Sequence, residues 1–240
     1  MKAVVLFSGG PDSTTVLYLA LKRGFQVFPL TFDYGQLAER EIEHARAIAE
    51  RLRLRLLVVD LAAMKGIYSG STSLVDDRIP ITEEFTSPII VPFRNGIMLA
   101  IAVAYAQSIG ATHVFYGAQE SDAAHYPDCR PSFVEAFREA AKRGTDSEIE
   151  IEAPLASMKK SEVIKLGTEL GVPFKLTWSC YRQVKRHCGV CELYSEQLAA
   201  MEKLGYRQGE RHCGVCESCN NRKRAFLEAG IKDPTMYENP

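Results

Sequence analysis

The sequence predicts a doubly wound, Rossmann-like α/β fold with a parallel sheet and a small, cysteine-rich C-terminal region. Three observations predict it. Short apolar runs at residues 3–7, 26–32, 54–60, 112–117 and 148–152 alternate with longer segments of helical periodicity, and this alternation favours a parallel sheet. The first run ends in a glycine turn that leads directly into a helix. All of the seven cysteines except Cys129 lie between residues 180 and 219.

The predicted helices follow the strands in order, at residues 14–23, 35–52, 94–109, 133–143 and 160–170. Glycine ends helices readily because it adopts positive φ, and it follows three of them, at Gly24, Gly110 and Gly171. Residues 62–87 are polar and have no periodicity, so they predict a functional or mobile loop. Residues 88–92 are expected to be short and extended.

The composition indicates a globular protein of a reducing compartment. A chain of 240 residues with 46% hydrophobic and 25% charged residues can bury a large core. A net charge of -1 offers no general attraction for a nucleic acid. The apolar runs at residues 3–7 and 97–106 are too short for a secretory signal and a membrane span. Seven cysteines without an export signal favour metal or thiol chemistry. We therefore expect a cytoplasmic protein without a nucleic-acid or membrane partner.

The segment that joins the first strand to the first helix reads Phe-Ser-Gly-Gly-Pro-Asp-Ser at residues 7–13. Gly9 and Gly10 let the backbone approach a ligand, and Ser8, Asp12 and Ser13 offer oxygens around the helix start. The free N–H groups and the dipole of a helix N-terminus favour a phosphate group. No lysine follows the second glycine, which excludes the G-x-x-x-x-G-K-[ST] loop. The alternative is an ordinary glycine turn in a βα unit.

The C-terminal region predicts a zinc site. Cys213, Cys216 and Cys219 form a C-x2-C-x2-C pattern, and Cys180 lies upstream in Thr-Trp-Ser-Cys-Tyr. Four thiolates complete a closed tetrahedral shell, which is typical of structural zinc. The alternative is a group of buried or reactive thiols without a metal. We divide the chain into an α/β domain, residues 1–172, and a helical zinc-binding region that takes up the remaining residues, 173–240.

A duplicated segment leaves a second ligand set open. Residues 181–192 read YRQVKRHCGVCE and residues 206–217 read YRQGERHCGVCE, 25 residues apart with two differences. The first copy supplies Cys188 and Cys191, and Tyr194 stands where the second copy has its third cysteine. We prefer Cys180 with Cys213, Cys216 and Cys219, because that triplet by itself supplies three of the four zinc ligands. The alternative combines Cys180, Cys188 and Cys191 with one later cysteine.

Two further expectations concern the repeats. His187 and His212 are predicted to be solvated neighbours of a metal turn and not ligands. Residues 194–204, between the copies, have helical spacing and predict a short additional helix.

Taken together, these motifs resemble a known family. The glycine loop resembles the S-G-G-x-D-S loop of the ATP pyrophosphatases, whose fold is of the adenine nucleotide alpha hydrolase type. The segments FSGGPDSTT, LTFDYGQ, VPFRNG, YPDCRPSFVEAF, IEAPLASMKKSEV and TWSCY with HCGVCESC look like those of the 7-cyano-7-deazaguanine synthases, the nitrile-forming enzymes of queuosine biosynthesis. The resemblance covers residues 4–226. Two features depart from the family pattern, the 25-residue insertion and Tyr194, and both concern the zinc ligands and not the chemistry.

The resemblance implies a reaction of 7-carboxy-7-deazaguanine with ammonia and ATP. One ATP would activate the carboxylate as an acyl adenylate, ammonia would form an amide, and a second ATP would activate the amide for elimination to the nitrile. Both activations add negative charge to phosphate oxygens, which N–H groups, cationic side chains and Mg²⁺ can stabilise. Free ammonia is the simplest source, because no glutaminase region is visible. A homodimer through the apolar segment 97–106 is left open.

The resemblance also implies which residues act. The expected ATP-binding residues lie in the glycine loop and at the end of the second strand: Phe7, Ser8, Gly9, Gly10, Pro11, Asp12, Ser13, Thr14, Thr15, Thr31 and Phe32. Asp12, Ser13, Arg94 and Lys160 are the expected catalytic residues, with Asp12 near the metal or a phosphate-bound water and the two cations near ATP phosphates. The alternative for Arg94 and Lys160 is an ordinary solvated surface charge.

Four residues after the fourth strand are expected to bind the deazaguanine. Asp122 or Asp128 could accept the two adjacent N–H donors of the ring, and Tyr126 could stack on it. Arg130 could meet the substrate carboxylate, and a salt bridge to Glu135 is its alternative. The sequence does not decide which acid reads the base.

Two other functions compete with this one. A tRNA-modifying ATP pyrophosphatase would share the glycine loop and a cysteine cluster, but it would need a tRNA-binding surface. A zinc module that binds nucleic acid or protein is the other, and the basic residues 222–224 are its best support.

Overall fold

Five parallel strands form one sheet in the order β3-β2-β1-β4-β5. The strands are β1 Lys2–Leu6, β2 Gln26–Asp33, β3 Leu57–Asp60, β4 His113–Phe115 and β5 Glu150–Glu152. This computed structural model describes residues 1–38, 40–182 and 211–239. The predicted helix at 194–204 and the residues His187, Cys188 and Cys191 lie outside them. The five strands and their parallel pairing are confirmed.

The strand order reverses direction beside β1. The chain runs outward from β1 through β2 to β3, and it then returns to the other side of β1 for β4 and β5. In a doubly wound sheet, the loops that follow the two strands at such a reversal diverge and leave a crevice at their carboxyl ends. The glycine loop leaves β1 at this crevice, opposite the loop that leaves β4.

Eight helices lie in the described part of the chain: α1 Pro11–Lys22, α2 Arg40–Arg51, α3 Lys65–Tyr68, α4 Arg94–Ile109, α5 Asp122–His125, α6 Pro131–Thr145, α7 Lys160–Glu169 and α8 Glu217–Ala229. The five predicted helices correspond to α1, α2, α4, α6 and α7.

The helix boundaries differ from prediction where a local turn intervenes. Helix α1 begins at Pro11 and not at residue 14, because proline suits the first turn, where its missing N–H is not needed. Helix α2 begins at Arg40 and not at residue 35. Asp33 accepts a hydrogen bond from the N–H of Gly35, whose φ is +78°, and this turn ends the preceding strand before the helix can start.

The polar stretch 62–87 contains more regular structure than predicted. A 3₁₀ turn at Ala62–Met64 leads into α3, and a second 3₁₀ turn, Ser87–Ile89, replaces the start of the expected extended segment. Between them, the Asp76 carboxylate accepts hydrogen bonds from the N–H of Gly70 at 2.8 Å and from Arg78. The guanidinium of Arg78 is the largest cause that holds the pKa of Asp76 below its ordinary value.

Both faces of the sheet are buried. Val4 packs with Leu99 of α4 on one face, and Val5 packs with Leu17 of α1 and Val163 of α7 on the other. Because neighbouring residues of a strand point to opposite faces, a strand covered by helices on both sides is apolar throughout. The apolar run of β1 therefore follows directly from its central position.

One segment of the described chain, residues 87–109, is long and apolar enough to cross a membrane by length and composition alone, and core helices of soluble proteins meet the same criteria. It contains α4, the helix that we predicted to be buried. Leu99, Ala102 and Ala106 of α4 are fully buried in the core.

The C-terminal helix α8 packs on α7 through a small apolar cluster that includes Ile164, Phe174 and Phe226. Arg222 of α8 is 1% exposed and donates hydrogen bonds to Thr177 Oγ1 at 2.8 Å and to the carbonyl oxygen of Phe174 at 2.8 Å. The C-terminal region is thereby held directly against the α/β unit, and its first turn lies near the crevice.

Candidate active site

The glycine loop is held closed by its own hydroxyl groups. The Ser8 and Ser13 Oγ atoms are 3.1 Å apart, and Ser13 Oγ also accepts from the N–H of Ser8 at 3.2 Å. Thr14 Oγ1 donates to the carbonyl oxygen of Gly10 at 2.6 Å, and Thr15 Oγ1 donates to that of Pro11 at 2.8 Å. The two threonines were expected at the ATP, but their side chains are fully buried and bonded within the loop and α1. Their hydroxyl groups therefore stabilise the backbone of the loop and do not line the cavity.

Gly9 is required by the packing of the loop. Its φ is +82°, and a Cβ atom there would lie 2.7 Å from the N atom of Ala45 and 2.8 Å from the carbonyl oxygen of Glu41 in α2. Backbone atoms cannot yield as a flexible side chain can, so no other residue fits. The carbonyl oxygen of Gly9 accepts a hydrogen bond of 3.0 Å from the N–H of Trp178.

A cavity of about 700 Å³ opens at the carboxyl ends of the strands, beside this loop. It is large enough for a nucleotide and a second small molecule. The expected site residues that line it are Phe7, Ser8, Gly10, Pro11, Asp12, Ser13, Thr31, Phe32, Arg94, Asp122, Tyr126 and Lys160. The structure thus brings to one cavity residues that are far apart in the sequence.

Lys160 forms an ion pair with Asp12, and both residues line the cavity. Lys160 Nζ donates directly to Asp12 Oδ2, which joins the first residue of α7 to the first turn of α1. Asp12 Oδ1 is buried and accepts no hydrogen bond from the described residues. A buried carboxylate oxygen without a donor is costly, so this atom is a candidate ligand for a cation.

Arg94 also lines the cavity, together with Tyr34 and Tyr181. Its guanidinium donates to Tyr34 Oη at 3.1 Å and lies 5.7 Å from the centroid of that ring. Burial alone would lower the pKa of Arg94, but Tyr34, Tyr181 and Glu41 outweigh it and hold the pKa above its ordinary value. Arg94 is therefore a permanent cation in the cavity.

Several glutamates that line the cavity were missed by the sequence analysis, and burial shifts the pKa of two of them, Glu41 and Glu217. Burial raises the pKa of Glu41 from 4.5 to about 7, although Arg94 opposes the shift. Glu217, the first residue of α8, is 8% exposed, and burial raises its pKa against the effect of Lys160. Glu41 lies on an amphipathic helix and Glu217 among the cysteines, so neither has a local pattern that marks a ligand-binding acid.

Asp122 and Tyr126 both line the cavity near α5. Asp122 Oδ2 accepts from the N–H of Gln119 at 3.1 Å, and Oδ1 accepts from Gln119 Nε2 at 3.2 Å. Burial raises the pKa of Asp122, and Lys160 opposes this shift. The ring of Tyr126 lies edge-on to Phe85, 6.1 Å between centroids, so part of the loop 62–87 forms the cavity wall.

The structure places the other two expected substrate ligands elsewhere. Asp128 Oδ2 accepts from the N–H of Asn95 at 2.8 Å and Oδ1 from Asn95 Nδ2 at 3.3 Å. Asp128 therefore stabilises the start of α4 and does not line the main cavity. Arg130 is exposed and donates to the carbonyl oxygen of Ala123 at 3.2 Å, outside the cavity lining.

Four cysteines meet close to the cavity, whose lining includes their chain neighbours Ser179, Tyr181 and Glu217. The sulfur atoms of Cys180, Cys213, Cys216 and Cys219 all lie within 4.8 Å of one another, and all four residues are buried. The Cys213 and Cys219 sulfurs are 3.9 Å apart. Zn–S bonds of about 2.3 Å in a tetrahedron place sulfurs about 3.8 Å apart, so this group fits a zinc ion. The arrangement brings together the ligand set that we preferred.

His212 differs from its prediction. It is 3% exposed and not solvated, and its ring packs edge-on against Trp178 with 4.3 Å between centroids. Burial lowers the pKa of His212 to about 3, so the ring is neutral at physiological pH. It acts as packing between the cysteine cluster and Trp178.

Comparison with known proteins identifies the family. The profile of the family described as "Queuosine biosynthesis protein QueC" matches residues 2–205. The chain belongs to the QueC family. Proteins named 7-cyano-7-deazaguanine synthase are similar to it over nearly their whole length. The one from Caldicellulosiruptor bescii is 36% identical over 99% of this chain and 98% of the relative. The one from Methanoculleus marisnigri is 40% identical over 99% of both.

Solved structures share the fold of this QueC-family chain. A 4-thiouridine synthetase, determined with RNA and bound ATP, is 27% identical with a TM-score of 0.50, over 71% of this chain and 41% of that one. NMN synthetase from Francisella tularensis has a TM-score of 0.50 at 16% identity, over 96% of this chain and 78% of that one. These likenesses confirm the predicted fold class. Membership of the QueC family makes the chain an enzyme of queuosine biosynthesis and decides against the module that only binds nucleic acid.

Proposed function

We propose that this chain converts 7-carboxy-7-deazaguanine, ammonia and ATP into 7-cyano-7-deazaguanine, as a ligase that forms a carbon–nitrogen bond. The observation that carries the proposal is that the glycine loop, Arg94 and Lys160 line the same cavity as Asp122 and Tyr126. A nucleotide and a deazapurine bound there would meet at the carboxyl ends of β1 and β4. The names of the relatives support the product.

ATP would bind with its phosphates at the glycine loop. The N-terminus of α1 directs free N–H groups and the positive end of a helix dipole toward this position. Ser8 and Ser13 add hydroxyl groups, and Thr31 and Phe32 at the end of β2 would border the adenine. Lys160 and Arg94 are the cations that would balance the negative charge that develops on the phosphates.

The chemistry needs two activations in the same place. A carboxylate oxygen of the substrate attacks the α-phosphorus of ATP and pyrophosphate leaves. Ammonia then attacks the acyl carbon, AMP leaves, and the nitrogen loses its extra proton. In the second round, the amide oxygen attacks the α-phosphorus of another ATP and pyrophosphate leaves. The C–O bond to AMP then breaks, AMP leaves, and loss of the two nitrogen protons gives the nitrile. A charged, partly enclosed site lowers the barrier of both attacks by orienting the partners.

Two metals fit the residues present. Asp12 Oδ1 would hold Mg²⁺, which screens the charge of the ATP phosphates. Cys180, Cys213, Cys216 and Cys219 would hold a structural zinc ion. Thiolate ligands must stay reduced, so we place the protein in the cytoplasm, and we retain the homodimer as a prediction that sedimentation can check.

The test is a reconstituted reaction analysed by mass spectrometry. Purified protein with 7-carboxy-7-deazaguanine, ammonium chloride, Mg²⁺ and ATP should form the nitrile and consume two ATP for each product. Omission of ammonium should leave the acyl adenylate without nitrile. Pyrophosphate release that requires tRNA instead of 7-carboxy-7-deazaguanine would overturn the proposal.

A further inference from the structure

The carboxylate of Glu217 has one oxygen without a partner inside the cavity. Glu217 is 8% exposed and lines the cavity beside Tyr126. Its Oε1 atom accepts a hydrogen bond from Asn221 Nδ2, and no donor among the described residues reaches Oε2. Because the Glu217 side chain lines the cavity, Oε2 is an acceptor that a bound ligand with an N–H donor can use, and a hydrogen bond to a charged group is stronger than one between neutral groups.

The position of Glu217 is fixed on two sides. Its backbone N–H donates to the carbonyl oxygen of Thr82 at 3.0 Å. Three residues further along α8, Asn220 Nδ2 donates to the carbonyl oxygen of Glu83 at 3.0 Å. These two hydrogen bonds hold the first turn of α8 against the loop that contains Phe85, another residue of the cavity lining. A carboxylate held in this way is preorganised for a ligand.

Two other acids already accept a hydrogen bond at each carboxylate oxygen, whereas Glu217 does so at only one. Both oxygens of Asp122 accept from Gln119, and both oxygens of Asp128 accept from Asn95. Asp12 is paired with Lys160 at the phosphate end. Glu83 and Glu84 are exposed, so water competes for their hydrogen bonds.

We propose that Glu217 accepts hydrogen bonds from the ring N–H and from the exocyclic amine of the deazaguanine. It would thereby favour substrates that carry this amine over those that lack it. The inference rests on the proposed function and names the acid that reads its substrate. Asn221 holds Oε1, and both oxygens can still accept from the two adjacent donors because a carboxylate oxygen has two lone pairs. Tyr126 lies at the same part of the cavity, where it can cover a face of the ring.

The test compares two substrates in wild-type enzyme and in variants. The second substrate is 7-carboxy-7-deazahypoxanthine, which lacks the amine that Glu217 would read. Wild-type enzyme should favour the amine-bearing substrate in kcat/KM by roughly 10- to 100-fold, the range expected for a hydrogen bond to a charged group. In Glu217→Gln this preference should fall to within about threefold of unity, since a glutamine amide cannot accept from both donors at once. The KM for ATP should stay within about twofold.

Two controls keep the result interpretable. Glu135→Gln changes an exposed acid of α6 that does not line the cavity and should keep the wild-type preference. Zinc content is measured in every variant, because Glu217 follows Cys216. The ratio of the two kcat/KM values does not depend on the fraction of active enzyme, so a partly folded variant still reports on selection.

The outcomes separate the inference from the proposed function. Nitrile formation by wild type with an unchanged preference in Glu217→Gln would overturn the inference alone. Loss of the preference in Asp122→Asn and not in Glu217→Gln would show that Asp122, and not Glu217, recognises the exocyclic amine. A wild-type enzyme that forms no nitrile from 7-carboxy-7-deazaguanine would overturn the proposed function.

Discussion

The backbone N–H of Trp178 donates a hydrogen bond of 3.0 Å to the carbonyl oxygen of Gly9. Two residues later comes Cys180, whose carbonyl oxygen accepts from Trp178 Nε1 at 2.8 Å. The glycine loop and the cysteine cluster are therefore joined through one buried side chain and its backbone. Because Trp178 is the single tryptophan of the chain, its fluorescence reports on both.

Removal of one cluster thiol should release zinc and disturb the loop. Cys219→Ala leaves three sulfurs and an open position, which weakens a structural zinc site. We expect zinc loss, a red shift of the Trp178 emission and weaker ATP binding, measured by metal analysis, fluorescence and calorimetry. Cys188→Ala should retain the metal. Zinc loss in Cys188→Ala with retention in Cys219→Ala would show that the alternative ligand set is correct.

Gly9→Ala should damage the loop more than an alanine at another positive φ. Gly24 has a φ of +80° but free space around it, whereas a Cβ at Gly9 would meet the backbone of α2. Gly24→Ala should cost about 1 kcal/mol of unfolding free energy for the left-handed conformation. Gly9→Ala should cost about 2 to 4 kcal/mol, because overpacking adds to that strain. Urea denaturation measures both, and equal losses would contradict the packing argument.

Lys160→Ala should reduce catalysis by about 10²- to 10³-fold, the usual effect of removing one group that stabilises transition-state charge. The matched control is Lys159→Ala, since Lys159 is exposed and precedes the helix. That variant should stay within about twofold of wild type. Steady-state kinetics with saturating ATP checks both, and a fall in kcat that is equal in the two variants would argue against a specific role for Lys160.

Glu41 should make the stability of the nucleotide-free protein depend on pH. Its pKa is about 7 in the folded protein against an ordinary value of 4.5, mainly because of burial. The folded state thus favours the protonated form, and its contribution to stability is complete below pH 4.5 and is lost as the pH rises through about 7. Between these values, wild type should lose about 2 to 3 kcal/mol relative to Glu41→Gln, at about 1.4 kcal/mol per unit of pKa.

The measurement is urea denaturation of both proteins across this pH range. Glu50→Gln, on the exposed side of the same helix, is the control and should run parallel to wild type. A constant difference between wild type and Glu41→Gln at all pH values would refute the role of burial.

Arg222→Met should destabilise the C-terminal region strongly. The buried guanidinium donates to Thr177, Ser179 and the Phe174 carbonyl oxygen and lies 3.3 Å from Asp233. Its removal leaves the Phe174 carbonyl oxygen without this donor and takes the charged partner from Asp233, whose side chain is 13% exposed; the two losses together should cost about 3 to 5 kcal/mol. Arg224→Met, at an exposed position of the same helix, should change stability by less than about 0.5 kcal/mol. Thermal and urea unfolding compare the two variants.

The sequence alone determined the sheet and the place of the site. Strands and helices are set by local periodicity and by glycine and proline, so the five strands and five main helices could be recognised from neighbouring residues. The Ser-Gly-Gly-Pro-Asp-Ser segment lies at a strand end by the same local logic, and the spacing of the last three cysteines identifies ligands that one tight turn brings together.

Only the tertiary structure decided which side chains face the cavity. Asp128 and Asp122 look alike in the sequence. In the structure, however, Asp128 accepts a hydrogen bond from the start of α4, whereas Asp122 lines the cavity. Glu217 has no local pattern of a ligand-binding residue. It lines the cavity because α8 packs on α7 and because Cys216 and Cys219, on either side of it, are buried in the cysteine cluster. The physical reason is that periodicity depends only on residues close together in the chain. The partner of a buried polar group often lies in a distant segment, which the crossover connections of the fold bring close.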